Sequence, residues 1–148
     1  MKKKIYLFFF VIIFFLFQNK LVFSQIENSV IISVGDYPIT RLDLLKEIKL
    51  IAILSNTEIN QNNKEQIKGL AVKSLIKRNI KENEIKRRNI FKYNKKQLET
   101  LISSTSQKIG LNKNGLKMML ENNNLSYEEL IKRFETDLKW NYMIFQIY

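Results

Sequence analysis

The chain has 148 residues, enough for one domain with an apolar core of its own, and 45% of them are hydrophobic. Its 25 Lys and Arg outnumber 14 Asp and Glu, for a formal charge of +11. It holds neither histidine nor cysteine, which excludes the commonest general base, thiol nucleophiles and disulfides and leaves zinc only carboxylate ligands. No catalytic, cofactor-binding or metal-ligating residue is expected.

Residues 1–24 read as a secretory signal peptide. Lys2, Lys3 and Lys4 precede an unbroken apolar run from Ile5 to Phe17, and Val22-Phe23-Ser24 stands before Gln25. Cleavage is expected between Ser24 and Gln25. The run falls short of the ~20 residues that a membrane span needs, although an uncleaved inner-membrane anchor stays open as the second reading. Export places the remaining chain in the periplasm. There, 21 of the 25 basic residues and all 14 acidic ones remain, a balance of +7. That charge suits either a solvated lysine face or an electrostatic hold on an anionic lipid or acidic client. Nucleic acid is not an expected partner of an exported protein.

Val30 to Val34 is a β-branched run and Tyr37-Pro38-Ile39 a second extended piece, with Gly35-Asp36 offering the turn between them. This predicts a small hairpin or an extended arm. Thr40 starts a helix as its cap, with Asp43 three residues on to close a capping box and Ile39 and Leu44 in staple positions. Leu44, Leu45, Ile48, Ile51 and Ala52 form the predicted buried face of that helix.

After a polar loop from Ser55 to Asn63, a long helix is predicted over about Lys64 to Arg88. Ile67, Leu70, Ala71 and Leu75 share one face, and Val72, Ile76 and Ile80 widen it, so coverage on two sides is expected. Asn94 caps the next helix, Gln97 stands three on, and Tyr93 and Leu98 can staple its entry. Leu98, Leu101, Ile102, Thr105 and Ile109 make its stripe, and Gly110 ends it in a left-handed conformation. Asn112 begins a short helix with Leu116, Met119 and Leu120, closed by Asn122-Asn123-Asn124. Ser126 with Glu129 predicts a further capping box, stapled by Leu125 and Leu130, before the last helix.

The fold class is therefore all-α: a multi-helix orthogonal bundle behind a short N-terminal β-hairpin or arm. The last helix is unusual. From Trp140 it reads Trp-Asn-Tyr-Met-Ile-Phe-Gln-Ile-Tyr, uncharged and apolar on every side. Such a surface is buried either by the other helices or by something else, whether a partner, a client or a missing segment.

The stretch Val30-Ile31-Ile32-Ser33-Val34-Gly35-Asp36-Tyr37-Pro38-Ile39-Thr40-Arg41-Leu42-Asp43 resembles the opening of the SurA family of periplasmic chaperones, with its valine-rich strand, polar turn, Ile-Thr step and Asp-bearing helix. Leu75-Ile76-Lys77-Arg78-Asn79-Ile80 is similar to the family's long helix. Asn94 to Gly110 and Leu125-Ser126-Tyr127-Glu128-Glu129-Leu130 are similar to its later capped helices, so the resemblance runs from Val30 to Phe145.

The resemblance implies that residues 25–148 form a helical chaperone domain that holds unfolded outer-membrane β-barrel proteins, with at most transient membrane contact. Family members continue into parvulin-type prolyl isomerase domains and a final helix. Neither is found in this sequence, so the domain is expected to be incomplete at its C-terminus and to isomerise proline only if such a domain follows. A membrane-anchored basic scaffold is the alternative to a chaperone. Promiscuous polypeptide contact favours flexible methionines and aromatics. Met118, Met119, Trp140, Tyr142, Met143 and Phe145 are the candidates for contact with a client or missing segment, against a competing role in the core.

Overall fold

β-Branched side chains favour a pleated strand, and Gly35 supplies the positive φ (+59°) that the reversal after them requires. Strands β1 (Val30–Val34) and β2 (Tyr37–Thr40) accordingly pair antiparallel, with Val34 opposite Tyr37 and Ile32 opposite Ile39. The register shifts between Val30 and Ile32, a bulge at the open end. This geometry comes from a computed structural model that describes residues 29–147. The expected leader and its Ser24–Gln25 junction lie outside the described residues.

Five helices follow the hairpin: α1 (Arg41–Leu54), α2 (Lys64–Arg87), α3 (Lys95–Lys108), α4 (Lys113–Asn122) and α5 (Tyr127–Ile147). The architecture is an all-α bundle with an N-terminal hairpin. Helix α2 packs along α1 and α5, α3 packs on α5, and α4 closes against α3 and α5, while the two strands rest on α1 and α2. Among the described residues, no helix is long and apolar enough to cross a membrane.

The helix starts follow local side-chain chemistry. The Thr40 hydroxyl accepts the Asp43 amide at 3.1 Å, and the Asp43 carboxylate accepts the Thr40 amide at 2.8 Å, completing the capping box. Asn94 accepts the amides of Lys96 and Gln97, and Asn112 accepts that of Gly115. Ser126 accepts the Glu129 amide, but its hydroxyl donates to Glu128 rather than closing a box through Glu129. Thr40→Ala is expected to cost about 1 kcal/mol, read as a lower urea midpoint with an unchanged slope.

The helix ends share one device. Each of α1 to α4 is followed by a left-handed residue: Asn56, Asn89, Gly110 and Asn124. The next amide then reaches back to the third-last helical carbonyl, Thr57 to Ala52, Ile90 to Ile85, Leu111 to Ser106 and Leu125 to Leu120, all at 2.9–3.0 Å. These four Schellman motifs satisfy carbonyls that a helix end leaves open. Asparagine takes the left-handed turn because its short polar side chain tolerates it.

Leu50, Leu116, Leu120, Leu125 and Leu130 form one buried cluster, joined by Phe134 and Tyr127 to a second made of Leu98, Ile102 and Leu138. The loop before α3 is pinned where the Tyr93 hydroxyl donates to Glu135 at 2.9 Å, a bond that raises the phenol's pKa above its ordinary value.

Two predicted faces are corrected. In α1 the buried positions are Glu47, Leu50 and Ala52, while Leu45 is exposed. The core there is approached by α2 and α5 together, and a glutamate lies at its centre. In α2, Ile67, Ala71, Leu75 and Ile85 are buried, but Leu70 and Ile80 are about half exposed at 49% and 50%. The helix is flanked by α1 and α5, but no element fully covers its outer positions Leu70 and Ile80, because α3 and α4 pack chiefly on α5 and on each other.

Candidate functional site

Residues four apart on a helix stack above one another, and α2 carries two such rows side by side: Lys73-Lys77-Lys81 and Ile76-Ile80. Facing them, Arg133, Asp137, Trp140 and Ile144 repeat at the three- and four-residue spacing that keeps them on one side of α5. The seam between these faces is open to solvent as a furrow of three adjoining hollows.

The first hollow, of about 430 Å³, has a floor of Leu50, Leu54, Leu130 and Phe134 and a rim that includes Lys77, Lys81 and Lys108. The middle one is lined by Lys73, Ile76, Lys77, Ile80, Lys81 and Trp140. The last, of about 470 Å³, runs over Ile80 and Trp140 to Met143, Ile144, Ile147 and Val34 of β1. Lys77 and Lys81 are shared by the first two, and Ile80 and Trp140 by the last two, so the hollows form one track.

What fixes the two walls is a buried charge cluster. Glu47 of α1 is 1% exposed and accepts Ser74 Oγ at 2.7 Å and Arg78 Nη1 at 3.1 Å from α2. From α5 it receives Arg133 in fork geometry, at 2.9 Å to Oε1 and 2.6 Å to Oε2. One carboxylate thus ties three helices together. Burial pushes the Arg133 guanidinium below its ordinary pKa, the nearby Arg78 charge adds to that, and Glu47 opposes both. Among the described residues, no buried side-chain nitrogen or oxygen lacks a hydrogen-bond partner.

The acids along the furrow are already committed. Glu47 is held by its two arginines, Asp137 pairs with Lys81, and Glu84 pairs with Arg87 and Arg88, whose hydrogen bonds lower its pKa to about 2. Lys81 also sits 5.9 Å from the Trp140 ring centre. Lys73, Lys77 and Lys108 have no acidic partner among the described residues. The furrow therefore combines an apolar track with unpaired positive charge along its rim.

The six residues singled out from sequence are dispersed. Trp140 and Met143 line the furrow, although Met143 is itself buried. Tyr142 and Phe145, the latter 82% exposed, are on α5 but do not line it. Met118, 62% exposed, and Met119 stand on α4, whose core residues pack with the first half of α5. From Leu130 to Tyr142, α5 rises by about 18 Å, so the methionine pair and the Trp140 region are not one patch.

Ile76, Ile80, the lysine row and Glu47 were not among the expected site residues. One signal for the cluster is present in the sequence: only five of the 25 basic residues are arginine, and two of them, Arg78 and Arg133, are on Glu47. In a lysine-dominated chain, arginine marks positions that need a planar, weakly hydrated fork. Comparison with known protein families, with characterised proteins and with solved structures finds no match to this chain.

Proposed function

We propose that the chain is an exported holdase chaperone of the periplasm, similar in role to the SurA family, which binds unfolded outer-membrane β-barrel proteins without performing chemistry on them. The observation that carries this reading is the furrow: an open apolar track with Ile76, Ile80, Trp140, Ile144 and Ile147 along it, continuous through adjoining hollows between α2 and α5. Contiguous exposed apolar surface on a folded body is the mark of a surface that meets another macromolecule. Its exposed side chains are branched or aromatic apolar groups that can be contacted by many different sequences, as a chaperone needs. The apolar, uncharged second half of α5 supports the same reading, since it supplies one wall of the track.

Light scattering of a denatured outer-membrane protein diluted into buffer tests the proposal. With the purified protein in excess, aggregation is expected to fall steeply, and without any prolyl isomerase activity being required. Unchanged scattering at a several-fold excess of the protein rejects a holdase function.

A further inference from the structure

We propose that the furrow prefers extended polypeptide segments in which apolar and acidic residues alternate, a preference that rests on the holdase reading and specifies its clients. Two features of the molecule carry this. In an extended chain, side chains two apart lie on the same side at about 6.7 Å spacing. Stacked residues on a helix are about 6 Å apart, which is the spacing of Ile76 to Ile80 and of Lys73 to Lys77. The two rows lie side by side along one hollow. A strand running edge-on through it therefore turns one side to the isoleucine row and the Trp140 ring and leaves its other side within reach of the long, flexible lysine side chains.

The second feature is the charge balance. Lys73 and Lys77 line the track with no acidic partner among the described residues, and Lys108 continues the positive rim at the first hollow. Glu47, Asp137 and Glu84 are each neutralised within the protein, so they do not repel an incoming carboxylate as free acids would. A segment alternating apolar and basic residues meets like charge at the same positions. The concave course between α2 and α5 fits a single chain better than a flat lipid surface.

Fluorescence anisotropy with the full protein and short labelled peptides tests this. The probes alternate Leu with Asp, Leu with Ser, or Leu with Lys. The Leu-Asp peptide is expected to bind about tenfold more tightly than the Leu-Ser peptide, as two partly exposed ion pairs allow, with the Leu-Lys peptide weakest. This advantage is expected to disappear in the double variant Lys73→Glu and Lys77→Glu, checked for folding by circular dichroism. In the unaltered protein, raising salt is expected to erase it as well. Equal binding of acidic and neutral peptides, or a preference that survives the double variant and salt, overturns the inference while leaving a holdase intact. Lysine-dependent capture of phosphatidylglycerol vesicles without peptide binding also overturns it, assigning the rim to lipid. Loss of the holdase reading has a different signature: no suppression of aggregation and no binding of any of the three peptides.

Discussion

Glu47→Ala is expected to destabilise the protein by about 3–5 kcal/mol, the range for removing one partner of a buried ion pair. The substitution leaves Arg78 and Arg133 facing each other where Glu47, 1% exposed, had received both. It also removes the acceptor for the Ser74 hydroxyl. Glu47→Gln keeps the shape and one acceptor oxygen, yet the two guanidinium groups still lack a countercharge, so most of the loss is expected to remain. Urea unfolding checks both variants through the midpoint at constant slope.

A contrasting substitution separates the pair's strength from the harm of breaking it. Replacing Glu47, Arg78 and Arg133 together with Met, in a Ser74→Ala background so that no hydroxyl loses its acceptor, removes all three desolvation penalties and leaves apolar groups of similar length. Buried ionic clusters replaced in this way are commonly neutral or stabilising. The combined variant is therefore expected to be no less stable than the parent. The cluster's value then lies in orientation: a fork that accepts only one arrangement of α1, α2 and α5 holds the furrow walls in register.

Cap chemistry is local, which is why the helix boundaries were readable. Thr40 with Asp43, Asn94, Asn112 and Gly110 each act on amides or carbonyls within a few residues. The hairpin was equally plain in its β-branched runs and its glycine. Burial was harder, because it depends on which neighbours arrive. Leu45, Leu70 and Ile80 are apolar and in helical register, yet no element covers them fully. Glu47 carries no local signal of burial, since its arginine partners stand 31 and 86 positions away.

The asparagines are the instructive case. Their abundance reads easily as a compositional bias, but Asn56, Asn89 and Asn124 each take positive φ where a helix must stop. They perform at three helix ends what Gly110 performs at the fourth. The candidate site was partly visible, in Trp140 and Met143. The lysine row escaped because a lysine-rich chain offers many such spacings, and only the contacts reveal which lysines lack an acid.

Leu120→Ala and Ile80→Ala are expected to part stability from client holding. Leu120 is fully buried in the cluster with Leu116, Leu125 and Leu130, and its carbonyl accepts the Leu125 amide that ends α4. Truncating it leaves a cavity that the surrounding leucines only partly fill, at a cost of about 2–5 kcal/mol in urea unfolding. Ile80, by contrast, is half exposed, and alanine's better helix propensity offsets part of the lost apolar contact. Its substitution is expected to move stability by less than about 1 kcal/mol. The ranking reverses for aggregation suppression. Ile80 stands where the middle and last hollows meet, so its loss interrupts the apolar track. Leu120→Ala keeps that track and is expected to protect clients normally at temperatures where it remains folded. If Ile80→Ala suppresses aggregation as well as the parent does, the α2–α5 seam is not where unfolded chains are held.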